Sequence, residues 1–275
     1  MSRVLNLLVS RPYMSDALIA FWVRHQGIIR MVVDSGAFTN WKAGRETGSV
    51  DEYMRFIEGL PVAPWRYFTL DRIGDPETTA SNYQTMLNHG FNPVQIFTRG
   101  TPIKQIDALY DQSDLVGVGV GVGSNNYLGY LRWVVERNKG RPLHWLGVAI
   151  PGMIARFQPY SCDASSWESG GRYGLIQVYQ GGGVFKTYRR QQAARNPPAP
   201  AMWGAIRSWG YDPKRLQYES SWRGGFTNLA RRIGVASWVN YAMDVEACFG
   251  TQVFLALTTE HGIRMCTEEY IRAGI

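Results

Sequence analysis

Three aspartates stand at or near the ends of apolar runs. Asp34 closes IIRMVV (Ile28–Val33), Asp71 follows WRYFTL (Trp65–Leu70), and Asp163 lies inside PYSCDASSW (Pro159–Trp167). Carboxylates gathered in one place can divide labour. One attacks a carbon as a nucleophile while another serves as general acid or base, and burial with neighbouring negative charge separates their pKa values enough for both roles. At an anomeric carbon this is the chemistry of glycosyl transfer. A lone strand-end acid is as often a helix cap or a satisfied structural group. Three of them, in three different runs, point to a shared site. The stretch DSGAFTNW (Asp34–Trp41) adds a serine, a glycine and an aromatic directly after the first acid. A glycine lets a planar ligand approach the backbone, and Phe38 can either stack on such a ligand or pack as a core aromatic.

The elements that would carry these residues alternate. Apolar runs at Val4–Val9, Ile28–Val33, Trp65–Leu70, Pro93–Phe97, Leu115–Val122 and Leu143–Ile150 precede the less apolar Pro159–Trp167. Between them, Ser15–Gln26, Val50–Gly59, Pro76–Gly90, Ile103–Asp111 and Asn126–Asn138 have helical spacing. Pro76 after Asp75 is a good helix start, because proline at the first helical position gives up no needed N–H. Repeated strand–helix units imply a parallel sheet with right-handed crossovers, either doubly wound and open or closed as a (β/α)8 barrel. LIQVYQ (Leu175–Gln180) makes an eighth run and favours the barrel, whose chemistry sits at the C-terminal ends of its strands. The Val-Gly alternation of residues 116–123 serves either close ligand approach or packing.

The chain has 275 residues, a net charge of +7, 45% hydrophobic and 19% charged residues, which excludes wholesale disorder. It reads as one domain over 1–275, with a Gly- and Pro-rich basic insertion at 181–240 and helices at Phe226–Phe249 and Glu268–Arg272. The insertion holds ten basic and two acidic residues, leaving nineteen against twenty elsewhere. A local arginine-rich excess suits phosphate oxygens, the alternative being a soluble basic surface. Lys186, Arg189, Arg190, Arg195, Arg223 and Arg231 are the candidate nucleic-acid contacts. Trp203, Trp209 and Trp222 are interleaved with them and read as core packing before base stacking. Cys162, Cys248 and Cys266 are widely spaced, which excludes a disulfide framework and a C-x-x-C pair and fits a reducing, cytoplasmic setting. The N-terminal apolar run is too short to span a bilayer and reads as a first strand.

From about Met31 to Trp167 the sequence resembles the tRNA-guanine transglycosylase superfamily. It is most similar to the DNA-modifying branch, the DpdA-type 7-deazaguanine DNA transglycosylases, some of them phage-encoded. DSGAF (Asp34–Phe38) is similar to the family's D-S-G-G-[YF] motif. LDRIGDPETTASNY (Leu70–Tyr83) resembles the segment whose aspartate reads the base. VQIFTRG (Val94–Gly100), VGVGVG (Val116–Gly121) and HWLGVAIP (His144–Pro151) follow in the family's order, and SCDASSW (Ser161–Trp167) is similar to the nucleophile segment.

The resemblance implies a (β/α)8 barrel and replacement of guanine by a free 7-deazaguanine, related to preQ0, with no cofactor and no metal in the reaction. By that analogy Asp163 is the nucleophile and Asp34 the general acid/base. Asp71 reads the base, Ser35 orients it, Phe38 stacks on it, and backbone near Gly36, Gly119, Gly121 and Gly147 lines the pocket. The tRNA enzymes carry a zinc site built from a close cysteine cluster, and Cys248, His261 and Cys266 do not rebuild that spacing. DNA, single-stranded or with the guanine flipped out, is therefore the expected polymer, in a host cytoplasm if the protein is phage-encoded. The same exchange on tRNA, a non-catalytic nucleic-acid-binding barrel and a small-molecule glycosidase are the competing readings.

Overall fold

The computed structural model describes residues 4–119, 127–168, 173–193, 200–223, 225 and 228–274. Among the described residues, ten strands run in chain order as β1 Leu5–Ser10, β2 Ile29–Asp34, β3 Arg66–Tyr67, β4 Gln95–Phe97, β5 Val116–Gly119, β6 Leu143–Leu146, β7 Ser161–Ala164, β8 Leu175–Tyr179, β9 Phe185–Arg189 and β10 Gln252–Leu257. Eight form one curled sheet in the order β3-β2-β1-β10-β7-β6-β5-β4, and every recorded pairing within it is parallel. Helices on its outside include Asp16–Arg24, Val50–Glu58, Pro76–Asn88 and Tyr127–Arg137, so the expected strand–helix rhythm holds through β7.

The closed barrel is met only in part. The edge strands β3 and β4 share no continuous ladder. They meet at a single bridge, Phe68 to Val94, where the Val94 N–H donates to Tyr67 O at 2.7 Å and the Thr69 N–H to Val94 O at 3.0 Å. The fold is thus a (β/α)8-like, strongly curled parallel sheet.

The identity of the eighth strand is a correction. Leu175–Tyr179 does not join the sheet but pairs antiparallel with β9 in a separate hairpin. The eighth strand is β10, which enters between β1 and β7. Its residues Val253, Phe254, Leu255 and Leu257 are all buried, as a strand covered on both faces requires.

The sheet sorts side chains by alternation. Leu8, Val32, Phe68, Val94, Ile96, Leu115 and Phe254 form one buried cluster, while Leu7, Val9, Met31, Val33, Trp145, Cys162 and Leu255 belong to the larger cluster shared with the helices. A Cβ on Gly117 would stand 3.0 Å from Phe68 Cε1. At this position the Val-Gly alternation is therefore a packing device that admits the Phe68 ring.

The described residues of the basic segment form a packed unit rather than a bare excursion. The β8–β9 hairpin, the helix Pro200–Ser208 and short 3-10 turns enclose a second small core that includes Ile176, Val178, Ile206, Leu216 and Trp222. Trp222 is buried and its indole N–H donates to Leu216 O at 2.8 Å, as the packing reading expects. The helix Leu229–Phe249 joins this core to the sheet. Ala230, Ile233 and Ala236 serve the small core, whereas Val235, Val239, Tyr241 and Val245 serve the main one. A helix sandwiched between two layers is apolar on both faces, which this sequence is. Asn228 caps its start, accepting from the Arg231 N–H, and Gly250 (φ 71°) ends it. Among the described residues no helix is long and apolar enough to cross a membrane.

Phe254 lies at 0% exposure, 5.6 Å from the Trp65 ring and 6.0 Å from that of His144. Phe254→Ala is expected to cost about 3–5 kcal/mol in urea unfolding, the range for emptying a buried aromatic site. An unchanged midpoint would contradict the place of β10 in the sheet.

Candidate active site

The parallel sheet carries three aspartates toward the C-terminal ends of its strands. Asp34 ends β2, Asp71 follows the short β3 and its bridge, and Asp163 is the third residue of β7. Each carboxylate meets donors that the fold supplies. Ser10 lies opposite Asp34 in the β1–β2 register, and its hydroxyl donates to Asp34 Oδ2 at 2.8 Å. The Gly36 N–H reaches the same oxygen at 3.0 Å. Ser35 donates its hydroxyl to Asp71 Oδ1 at 2.9 Å, so adjacent residues of one turn serve different acids. The Gly147 N–H donates to Asp163 Oδ1 at 2.8 Å, and His144 Nε2 lies 3.2 Å from that oxygen.

The acids also act on one another. Burial raises the Asp34 carboxyl above its ordinary range, the donors Ser10 and Gly36 oppose this, and the charge of Asp163 adds to the rise. Asp71 is pushed up to about 7 by burial first and then by the charge of Asp34, with Ser35 pulling the other way. Asp34 is thus raised by the charge of Asp163 and in turn raises Asp71, whose carboxyl is held where proton exchange near neutral pH is accessible. The expected convergence is therefore seen.

The remaining candidates separate. Phe38 is 50% exposed, on the short helix Ala37–Lys42, and stacks on the equally open Trp41 at 6.1 Å between ring centroids. It is no core aromatic. Gly36 has φ 81°, and a Cβ there would fall 2.2 Å from Pro12 Cδ, so the close contact with Pro12 requires a glycine at this position. Gly147 has φ 71° with nothing within 4 Å of its Cβ position, and Gly119 ends β5 with only an ordinary contact to Ile96. Gly121 lies outside the described residues.

Of the basic candidates, Lys186 and Arg189 are exposed on β9. Arg190 and Arg223 both pair with Glu219, which spends part of their charge inside the protein. Arg231 is 9% exposed, which removes it from the accessible basic surface because the helix start that carries it is packed. Arg195 lies outside the described residues.

Three functional neighbours escaped the sequence reading: Ser10, His144 and Ser161. Their signal was a polar residue at the edge of, or within, an apolar run. Ser161 is fully buried and its Oγ lies 2.8 Å from His144 Nδ1. A cleft of about 550 Å³ opens elsewhere, between the β8–β9 turn and the helices Pro200–Ser208 and Leu229–Phe249, and none of the three aspartates lines it. Among the described residues no group of three His, Cys, Asp or Glu is placed to hold a metal ion. No family model matches the chain, and no curated protein matches it.

The raised Asp71 pKa has a stability consequence with a definite sign. A carboxyl at about 7 when folded, against 3.8 as its reference, is protonated in the folded state and ionised in the unfolded state between those values. Stability from this group is therefore greatest below about pH 4, falls as pH rises toward 7, and is lost above it. Asp71→Asn is expected to flatten that slope and to be the more stable form at pH 8. The partial solvent access of Asp71 keeps the difference below about 4 kcal/mol. Urea unfolding of both proteins from pH 4 to 8 measures it, and parallel curves would refute the buried, charge-coupled carboxyl.

Proposed function

We propose that the protein is a base-exchange transglycosylase that replaces guanine in DNA with a 7-deazaguanine through a covalent aspartyl-glycosyl intermediate. The observation that carries the reading is the gathering of Asp34, Asp71 and Asp163 into one coupled set at the C-terminal end of the parallel sheet. That end is where (β/α)8 enzymes hold their substrates, and we read the curled sheet as a barrel of the transglycosylase kind. The resemblance of DSGAF and SCDASSW to the family's motifs assigns the roles.

In the first step a carboxylate oxygen of Asp163 forms a bond to the sugar C1′ while the bond from C1′ to the guanine nitrogen breaks. The electron pair leaves with the base, and Asp34 supplies the proton that neutralises it. In the second step Asp34 takes the proton from the glycosylating nitrogen of the incoming 7-deazaguanine. That nitrogen bonds to C1′ and the ester bond to Asp163 breaks. Two displacements at one carbon retain its configuration. Asp71, beside Ser35, accepts hydrogen bonds from the base edge in its ionised form. Phe38 and Trp41 offer aromatic faces to unstacked bases, which the reaction needs because a base cannot be exchanged inside a duplex stack. Lys186 and Arg189 supply backbone attraction.

The zinc-binding cysteine spacing of the tRNA enzymes is missing from this sequence, which favours DNA over tRNA. The test is exchange of labelled guanine and of 7-deazaguanines into single-stranded DNA, duplex DNA and tRNA in parallel, followed by nucleoside mass spectrometry. Label is expected in DNA, and Asp163→Asn is expected to lower incorporation at least a thousandfold while DNA binding persists. Label in tRNA alone would reassign the polymer. Binding without exchange in any polymer would favour a non-catalytic protein. Full activity in Asp163→Asn would overturn the nucleophile.

A further inference from the structure

We infer that His144 is the positioning residue for Asp163, donating its Nε2–H to Oδ1 so that Oδ2 is the oxygen that attacks the sugar. The inference rests on the proposed exchange reaction for its consequence, but its hydrogen-bond content stands on geometry alone. His144 is 1% exposed, in the middle of β6, and opposite Ser161 in the β6–β7 register. Its two ring nitrogens face different groups. Nδ1 is 2.8 Å from Ser161 Oγ and Nε2 is 3.2 Å from Asp163 Oδ1. Phe68 and Phe254 lie against the ring, at 4.9 and 6.0 Å between centroids, and fix its plane.

Chemistry sets the direction of these bonds. An ionised carboxylate only accepts, so the ring nitrogen facing it must carry a proton. Ser161 can give its hydroxyl proton to Nδ1, which selects the Nε2–H tautomer in a neutral ring. Asp163 Oδ1 then receives two donors, the Gly147 N–H at 2.8 Å and the imidazole. A doubly bonded oxygen is the poorer nucleophile, and its partner Oδ2 is left as the reactive atom. When the ester forms, Oδ1 becomes its carbonyl oxygen. When the ester breaks, the electron pair of the C1′–O bond returns to the carboxylate, and the same two donors stabilise the recovered charge.

A strand histidine that only filled space would show none of this directionality. Nitrogen-15 NMR of histidine-labelled protein, assigned with His144→Gln, reads the proton position without any substrate. A proton on Nε2 is expected. An Nε2 without a proton would overturn the proposal whether or not the protein exchanges bases. The kinetic arm uses single-turnover formation of the glycosyl-enzyme. His144→Leu is expected to slow it roughly ten- to a hundredfold with little change in KM for the free base, the loss that slight misplacement of a reacting group produces. His144→Gln, which keeps an N–H at the end of its side chain, is expected to recover most of that loss. Ser161→Ala removes the group that selects the tautomer and keeps the test alive if His144→Leu does not fold. It is expected to lower kcat several-fold and to let a proton appear on Nδ1. Wild-type rates in folded His144→Leu, or in Ser161→Ala, would overturn the positioning role. Absence of exchange by the wild-type protein would instead count against the proposed function and leave the NMR result to decide the hydrogen bond.

Discussion

Negative charge withdrawn from water at the end of the sheet is the constraint to which the rest of the structure answers. An isolated buried carboxylate costs several kcal/mol, and a hydrogen bond to a charged group returns about 1.5–3 kcal/mol. Asp34 therefore has two donors, Ser10 and Gly36. Asp163 also has two, Gly147 and His144, and Asp71 has Ser35. These donors do not offset the whole cost. The remainder appears as the raised pKa of Asp34 and Asp71, and at about 7 the Asp71 carboxyl can hold or release a proton near neutral pH. Stability is given up at the site, and the surrounding packing must supply what is lost there.

That packing follows from the same strands. Residues alternating with the donors face outward into the large core, so each short strand serves both faces: His144 and Leu146 alternate with the buried Trp145, and Ser161 and Asp163 with Cys162. Beneath the carboxylates, Phe68 and Phe254 flank the His144 ring, and Gly117 makes room for Phe68. The last strand is what brings Phe254 there, although it follows the basic module by some distance in the chain. The helix Leu229–Phe249 makes the return possible. It buries one face against the sheet and the other against the hairpin core, and hands the chain back at Gly250.

Much of this was legible in the sequence, for physical reasons that differ by element. Six parallel strands could be read because buried strands give continuous apolar runs, a seventh as a less apolar run in the same rhythm, and the helix start at Pro76 because it follows Asp75, which caps it by side-chain acceptance. The eighth strand was misassigned because LIQVYQ and QVFLAL carry the same local signal. Only the pairing partner distinguishes a hairpin strand from a sheet strand, and pairing is non-local. Asp34 and Asp71 were found by position at run ends, and Asp163 inside a less apolar run. His144 was not, because a histidine inside an apolar run reads locally as a satisfied core residue, and its partners Ser161 and Asp163 lie a strand away. The contact that requires a glycine at position 36 was not legible for a related reason: Pro12, which occupies the space in front of it, is distant in sequence. Arg231 counted toward the basic surface on charge alone, while burial of the helix start removes it.

The proposed exchange requires that one of the coupled carboxylates form a bond to sugar. Peptide mapping by mass spectrometry of the protein, quenched during incubation with a guanine-containing oligonucleotide, addresses this directly. A nucleic-acid adduct is expected on the peptide that contains Asp163, discharged on adding a free 7-deazaguanine. An adduct on Asp34 or Asp71, or turnover with no adduct under conditions that trap an ester, would contradict it.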